Sequence, residues 1–575
     1  MRLILRFLKP HWKLCMITIL LMITDVAGAL FIPTLAAKML NAATAGSGFG
    51  MLGSIGVKMA AASIISGGCA ILGGYSCAAL SSRLGRDMRV ALYEKSLSLS
   101  VYDFRRFGSA SVTTRTISDV TNIQFAVVSC IQMLLPVPVI FILSLVLTFK
   151  LDVQMGIVLL AVIVSVMILA MVVMKSAAPL FKKLQKLLDR MSTILLENIT
   201  GVRVVRAFNN EGRERSRMNG AFTEYADTAI KANRRYATLD GLSFFCINVM
   251  IVAVYWLSGS RISMGHLQIG DVTAVIEYAV MVLFFLMMAQ MTILSFPRAM
   301  ECCNRIGEVL DYEPEIRDLE ADSKEKREYD RQTVLEFKDV SFRYADAEED
   351  TLSHLNFACR RGETTAIIGG TGSGKSTIAS LMLRFHEVTE GEVLLNGNDL
   401  RKMTQHQLRE KLSYVQQKAW LFSGTIAENL RYGKEDATDQ ELMHALRIAQ
   451  AEEFVNSLPK GLDSFVAQGG TNFSGGQRQR LSIARALVKK PELYIFDDSF
   501  SALDFKTDAA LRRALESETR DAAVVIIAQR VSSIRHAEQI IVLHEGKMAG
   551  IGTHEQLLEN CPIYKEISDS QTKEV

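Results

Sequence analysis

The sequence has no Cys-x-x-Cys pair and no cluster with metal-ligand spacing. Its nine cysteines, Cys15, Cys69, Cys77, Cys130, Cys246, Cys302, Cys303, Cys359 and Cys561, are dispersed. That excludes a disulfide framework and a structural zinc site, and the chain reads as reduced with buried thiols. A charge excess is missing too: 64 Lys and Arg against 61 Asp and Glu leave +3. So small a surplus on 63.8 kDa gives no footprint for a nucleic-acid partner. Nor is the composition that of a soluble protein throughout, because the apolar residues concentrate in the first three hundred positions. A membrane half followed by a soluble half is the organisation this implies.

Six apolar runs stand out: Leu14–Leu35, Leu52–Leu80, Phe125–Phe149, Val153–Met174, Leu239–Ser258 and Val272–Phe296. Each holds about twenty residues or more, enough to cross about 30 Å of hydrocarbon as helix. Six crossings leave both chain ends on one side. Arg83, Arg86, Arg89, Arg105, Arg106 and Arg115 fall between runs two and three, and Lys182, Lys183, Lys186, Arg203, Arg206, Arg213, Arg215 and Arg217 between runs four and five. The other connections carry few cations, such as Lys38, Lys150 and Arg261. The positive-inside rule therefore puts both termini and the soluble half in the cytoplasm, in a multi-pass protein of the cytoplasmic membrane. Met1–Lys13 is a basic amphipathic lead without a small-residue cleavage pattern, and it is not read as a cleaved signal.

In the soluble half, Gly369-Gly370-Thr371-Gly372-Ser373-Gly374-Lys375-Ser376-Thr377 follows the short β-branched strand Thr364–Ile368. The glycines let successive backbone N–H groups turn inward on an anion, and a helix opening at Ser376 points its positive end at the same place. Lys375 reaches the β/γ-phosphates and the Ser376 hydroxyl ligates Mg²⁺, so ATP and Mg²⁺ are the expected cofactors. A second phosphate-facing turn lies in Asn472-Phe473-Ser474-Gly475-Gly476-Gln477.

With Leu493-Tyr494-Ile495-Phe496-Asp497 and Ser501-Ala502-Leu503-Asp504, these motifs make residues 334–575 resemble the ATP-binding cassette (ABC) family. The resemblance implies that Tyr344, before the first long strand, stacks on adenine. It implies that Asp497 holds Mg²⁺ through water, and that Gln417, or its neighbour Gln416, joins the metal and the water-positioning machinery. It implies further that Ser474, Gly475, Gly476 and Gln477 complete the ATP site of a second cassette packed head to tail. Phe473 stands where the family usually has Leu. The segments Ile117–Val120 and Leu196–Phe208 resemble the type IV exporter transmembrane domain, whose helices extend into the cytoplasm. The expected fold is an all-α six-helix transmembrane domain over residues 1–311, a linker over 312–333, and an α/β P-loop ATPase, the ABC nucleotide-binding domain, over 334–575.

Two departures bear on catalysis. The family has Glu after the Walker B Asp, where this chain has Asp498, and His after the last core strand, where it has Gln529. A carboxylate one methylene short misplaces the general base for the attacking water, and an amide carries no titratable proton. The pair resembles the degenerate half of heterodimeric ABC exporters. What that implies is an ATP hydrolase coupled to transport, with weak turnover at its own Walker site, in which Asp498, Gln529 and Gln417 are the catalytic positions. The partner is a second half-transporter carrying the competent Glu and His. The resemblance likewise implies the lipid bilayer and a small amphipathic, drug-like or lipid substrate for export as its other partners. A homodimer with two slow sites, an exporter-shaped importer of a metal chelate, and a gated channel using the same fold are the alternatives. Asp25 and Glu277, carboxylates inside spans, and the cluster Phe284, Phe285, Met287, Met288 and Met291 are the substrate-facing candidates.

Overall fold

The computed structural model describes residues 2–318, 330–345 and 347–572. Half of the expected linker 312–333, residues 319–329, therefore lies outside the described residues. The chain divides into two compact units, Met1–Leu97 with Gly108–Tyr312, and Ser98–Phe107 with Glu313–Val575.

The first unit is helical. A short helix, Arg2–Leu8, precedes α1 (Trp12–Thr44) and α2 (Phe49–Ser98). The tip helix α3 (Val101–Phe107) belongs to the second unit; the first resumes with α4 (Ser109–Leu151), α5 (Val153–Thr200), α6 (Val202–Ala207), α7 (Glu211–Ser263) and α8 (Ile269–Leu310). Among the described residues six helices are long and apolar enough to cross a membrane. Every apolar run lies on one of them, but the helices continue well past the runs. Lys, Arg, Glu and Gln are good helix formers, so the basic stretch after Met174 prolongs α5 rather than breaking into loop. Helix α4 bends its ladder twice, in π turns at Arg115–Asp119 and Cys130–Leu134. The second turn precedes Pro136, which has no N–H to give; Leu135 donates instead to Cys130 O at 2.9 Å, one residue farther back than usual.

Polar side chains tie this bundle. Thr34 Oγ1 meets Tyr278 Oη at 2.6 Å, and the Asn41 amide donates to Asp271 Oδ1 at 3.0 Å while accepting from Gly270 N at 2.7 Å. Buried Asp152 caps α5 through Gln154 N and Met155 N and pairs with Arg261 of α7. Asp119, also buried, is held by Arg305 at 2.6 and 2.9 Å. Asp25 takes the Ser66 hydroxyl at 2.8 Å, where α1 and α2 approach so closely that a Cβ on Gly28 would lie 2.8 Å from that of Ser66. Glu277 is exposed on α8, as is Phe284, which meets Phe285 edge-on at 5.7 Å. The Met291 side chain lies outside the described residues. All nine cysteines are free.

The second unit is α/β. A small antiparallel sheet contains β1 (Thr333–Phe342), β2 (Leu352–Arg360) and β4 (Glu390–Leu395), with β1 in the middle. The larger sheet contains β3 (Thr364–Gly369), β5 (Leu412–Val415), β6 (Leu493–Asp497), β7 (Ala523–Ile527), β8 (Gln539–His544) and β9 (Lys547–Gly552), in the order β9-β8-β3-β7-β6-β5. All its pairings are parallel except β8 with β9. Strands β3, β6 and β7 are covered on both faces, which is why they read as unbroken apolar runs. Register places Ile527 opposite both Ile367 and Asp497. Strands β6 and β7 thus end level while β3 runs two residues farther, to Gly369, and such carboxyl ends are where open α/β sheets hold ligands. Tip helix α3 packs within this unit: Tyr102 lies edge-on to the His386 ring at 5.7 Å, and Ser100 caps the helix, its hydroxyl accepting from Asp103 N while Asp103 Oδ2 accepts from Ser100 N.

Candidate active site

Three loops leave these strand ends. The first, after β3, is the glycine-rich loop, and helix α9 (Lys375–Met382) starts at Lys375, one residue before the expected Ser376. Gly374 caps it at φ +94°, where a Cβ would lie 2.5 Å from Leu352 Cδ2. The turn can therefore be made only by glycine. Thr371, Gly372 and Ser376 are exposed, while the Ser373 hydroxyl is buried and, among the described residues, has no hydrogen-bond partner. An unsatisfied hydroxyl in a glycine-rich loop suits a phosphate oxygen. Lys375 Nζ donates to the carbonyls of Gly369 and Gly370, both at 2.7 Å, so the ammonium is stored within its own loop. Burial lowers its pKa, and the nearby carboxylates of Asp498 and Asp497 work against that.

The second loop, after β6, carries Asp497 and Asp498. Asp497 is buried and accepts from Tyr414 Oη at 3.2 Å. Burial raises its pKa, and neighbouring Asp498 adds to the rise, while the hydroxyls of Tyr414 and Ser376 and the charge of Lys375 oppose it. Among the described residues no group of three His, Cys, Asp or Glu could hold a metal by itself. One carboxylate beside a hydroxyl nevertheless fits a Mg²⁺ that takes its remaining ligands from phosphate and water. Ser376, Asp497 and the Gln417 amide oxygen would hold it, and the ion would neutralise charge on the β- and γ-phosphates.

Asp498 sits at φ +46°, its N–H fixed to Ile527 O at 2.8 Å. Its Oδ2 accepts two amides at once, Gln417 Nε2 and Gln529 Nε2, each at 3.0 Å. Gln417 is therefore the residue that reaches the acidic loop. The backbone carbonyl of Gln416 takes Gln479 Nε2 at 3.3 Å and its side chain is exposed. The third loop, after β7, supplies Gln529. Both amides thus converge on one carboxylate oxygen.

Tyr344 follows β1 rather than preceding the first long strand, a correction to the expected placement. Its hydroxyl meets Thr377 Oγ1 at 3.2 Å, and its ring stands edge-on to Phe342 and His386. Ser474 caps α10 (Gly475–Val488): its hydroxyl accepts from Gln477 N at 3.3 Å and Gln477 Oε1 takes Ser474 N at 2.9 Å. Ser474 and Gly475 are exposed, and no hydrogen bond joins residues 474–477 to the loop 369–377 among the described residues. Phe473, in place of Leu, is buried and packs edge-on against Phe454. Tyr414, which the motif reading passed over, is the residue beside Val415 and Gln416 that touches Asp497; only its position next to the glutamines could have signalled it.

The family described as "ABC transporter transmembrane region" matches residues 14–287, and the one described as "ABC transporter" matches residues 352–501. An uncharacterised ABC transporter ATP-binding protein of Mycobacterium tuberculosis is 36% identical over 572 residues, covering 98% of this chain and 97% of that protein. The chain belongs to the ABC transporter family. The ABC transporter YfiB of Bacillus subtilis, also uncharacterised, is 34% identical over 99% of the chain and 98% of its own length. The ATP-dependent lipid A-core flippase of Haemophilus influenzae is 30% identical over 88% of the chain and 86% of its length. A bacterial Atm1-family ABC exporter with ATP bound superposes with a TM-score of 0.79 at 25% identity, over 97% of this chain and 98% of that one. The architecture is thus a helical ABC transmembrane domain with six candidate spans fused to a C-terminal α/β ABC ATPase domain, in the exporter fold. Such an ATPase domain binds ATP and couples its hydrolysis to transport.

Proposed function

We propose that this ABC transporter is the degenerate-site half of a heterodimeric exporter in the cytoplasmic membrane, with both termini and the ATPase domain in the cytoplasm. The observation that carries it is the triad at the strand ends: Asp498 replaces Glu, Gln529 replaces His, and both Gln529 and Gln417 spend their amides on one Asp498 oxygen. In this reading Lys375 leaves the Gly369 and Gly370 carbonyls for the β/γ-phosphates, Thr371–Thr377 cradle them through backbone N–H groups, and Tyr344 stacks on adenine. Asp498 must release an amide before it can orient a water. This chain's own ATP then turns over slowly, while its Ser474, Gly475, Gly476 and Gln477 complete the partner's competent site.

The substrate is a small amphipathic molecule or a lipid. The similarity to proteins named lipid A-core flippases favours a lipid, and the exposed intramembrane Glu277 favours one with a cationic group. Co-expression with a half-transporter that has Glu and His at the two positions tests the pairing. ATP turnover of the pair should exceed that of this chain alone by at least about tenfold, the ratio of one catalytic interaction. Equal turnover per site would favour the homodimer.

A further inference from the structure

The last described helix, α11 (Pro562–Thr572), lies far along the sequence from every motif, yet it ends on the third loop of the site. Its inner face is set by helical spacing. Tyr564 is fully buried and takes a hydrogen bond with His554 Nδ1 at 2.7 Å, and Ile567 packs on the large core beneath β8. One turn farther along the same face comes Gln571. Continuing the apolar stripe there would bury more surface. Instead the position holds an amide, and both of its polar atoms are used. Gln571 Oε1 accepts from Val531 N at 2.7 Å, and Gln571 Nε2 donates to Gln529 O at 2.8 Å.

The residue between them, Arg530, is extended, with φ −108° and ψ 129°. In extended backbone the carbonyl before a residue and the N–H after it point to the same side. One carboxamide therefore satisfies both, as a neighbouring strand would. The amide's orientation is fixed by its partners, an acceptor for an N–H and a donor for a carbonyl. The contact does more than cover orphan groups. Gln529 is held by its backbone from α11 and by its side chain to Asp498, so the two bonds are in series: α11, backbone 529–531, Gln529 amide, Asp498 Oδ2.

We infer that Gln571 is a positioning residue for ATP hydrolysis: as a two-pronged clamp from the C-terminal helix it sets where the Gln529 side chain stands relative to Asp498. The inference rests on the reading of Gln529 as the residue in the switch position. Loss of the clamp frees the 529–531 backbone on one side, so that the Gln529 amide, once it has left Asp498, is no longer held where the switch position would meet the γ-phosphate. ATP itself is held elsewhere, by the glycine-rich loop, so affinity is untouched.

The test uses the full-length chain in lipid nanodiscs, in the dimer it forms, with MgATP. Gln571→Met keeps the length and bulk of the side chain and removes both hydrogen bonds. We expect kcat to fall about five- to tenfold, the effect of one to two hydrogen bonds at a reacting site, with KM for ATP within about twofold. Amide exchange at Val531 should quicken while the strand β7 stays protected. Gln571→Glu, which still accepts from Val531 but turns an oxygen toward the Gln529 carbonyl, should be as slow, and it carries the test should the Met variant fail to fold. In a Gln529→Ala background Gln571→Met should add nothing, because the clamp acts only through Gln529. Unchanged kcat in both Gln571 variants beside a slow Gln529→Ala overturns the clamp alone. A further equal drop on top of Gln529→Ala overturns it as well, since the effect would then be general destabilisation. If Gln529→Ala itself turns over normally, the switch-position reading fails and the clamp fails with it.

Discussion

Changing Asp498 to Glu and Gln529 to His in one chain is expected to raise its ATP turnover by about 10- to 100-fold. The magnitude follows from what the carboxylate does now. Its Oδ2 accepts Gln417 and Gln529 at 3.0 Å each, and a hydrogen bond to a charged acceptor contributes about 1.5–3 kcal/mol. Turning that oxygen to a water breaks at least one of these bonds, which is about 10- to 150-fold in rate. His at 529 removes one tether outright, and Glu at 498 reaches about 1.5 Å farther, so it need not break the other. One effect opposes the gain. Position 498 has φ +46°, which Asp adopts more readily than Glu, and the longer side chain costs about 1 kcal/mol of folding stability there. That loss shows in Tm and not in the chemical step. Phosphate release at saturating MgATP, from the full-length chain in nanodiscs, gives the number, and the two single variants apportion it. Should the double variant bind ATP as before and still turn over at the parental rate, the two substitutions are not the cause of slow hydrolysis and the argument from Asp498 is refuted.

Ser474→Arg, at an exposed helix cap, should leave nucleotide binding by this chain intact and reduce turnover of the assembled pair by about 100-fold or more, the usual loss when an oriented phosphate contact goes; binding and phosphate release are the readouts, and a mild effect would reverse the assignment of the two composite sites. Asp497→Asn should stabilise the nucleotide-free protein at neutral pH. The folded carboxyl holds its proton above the ordinary value of about 3.9, so stability is present below that value and lost as pH rises through the folded one. The variant's Tm advantage by differential scanning fluorimetry should therefore vanish toward pH 4, and a constant offset would contradict the burial argument. Arg261→Ala strips the buried Asp152 carboxylate of its cation and should lower stability by about 2–4 kcal/mol, seen as a lower Tm that Asp152→Asn in the same chain partly restores.

Composition and motif spacing carried most of the architecture. The six apolar runs located the six crossing helices because length and apolarity are local properties. Helix ends were less visible: the stretch Lys182 to Arg190 is helix-patterned and resembles a helix extending into the cytoplasm, but nothing in it marks the end that α5 reaches at Thr200. The π turns of α4 could not be read, since a proline states only that an N–H is missing and not how the chain compensates. In the site, each residue of the glycine-rich loop was legible because the turn needs glycine at Gly374. The choice between Gln416 and Gln417 was not, because it depends on which amide faces β6. Asp25 showed only as a charge in a span; its partner Ser66 stands forty-one residues away, joined by helix packing that no periodicity reports. Gln571 was invisible for the same reason.

The grouping of Ser98–Phe107 with Glu313–Val575 means that the ATPase unit is not contiguous in sequence. A protein cut at residue 313 and produced as a soluble cassette would lack one of its own pieces. The His386 edge that meets Tyr102 would be bare, close to the ring of Tyr344 at 5.3 Å. Affinities measured on such a fragment would describe an incomplete object, and adding the peptide 98–107 back in trans should move them.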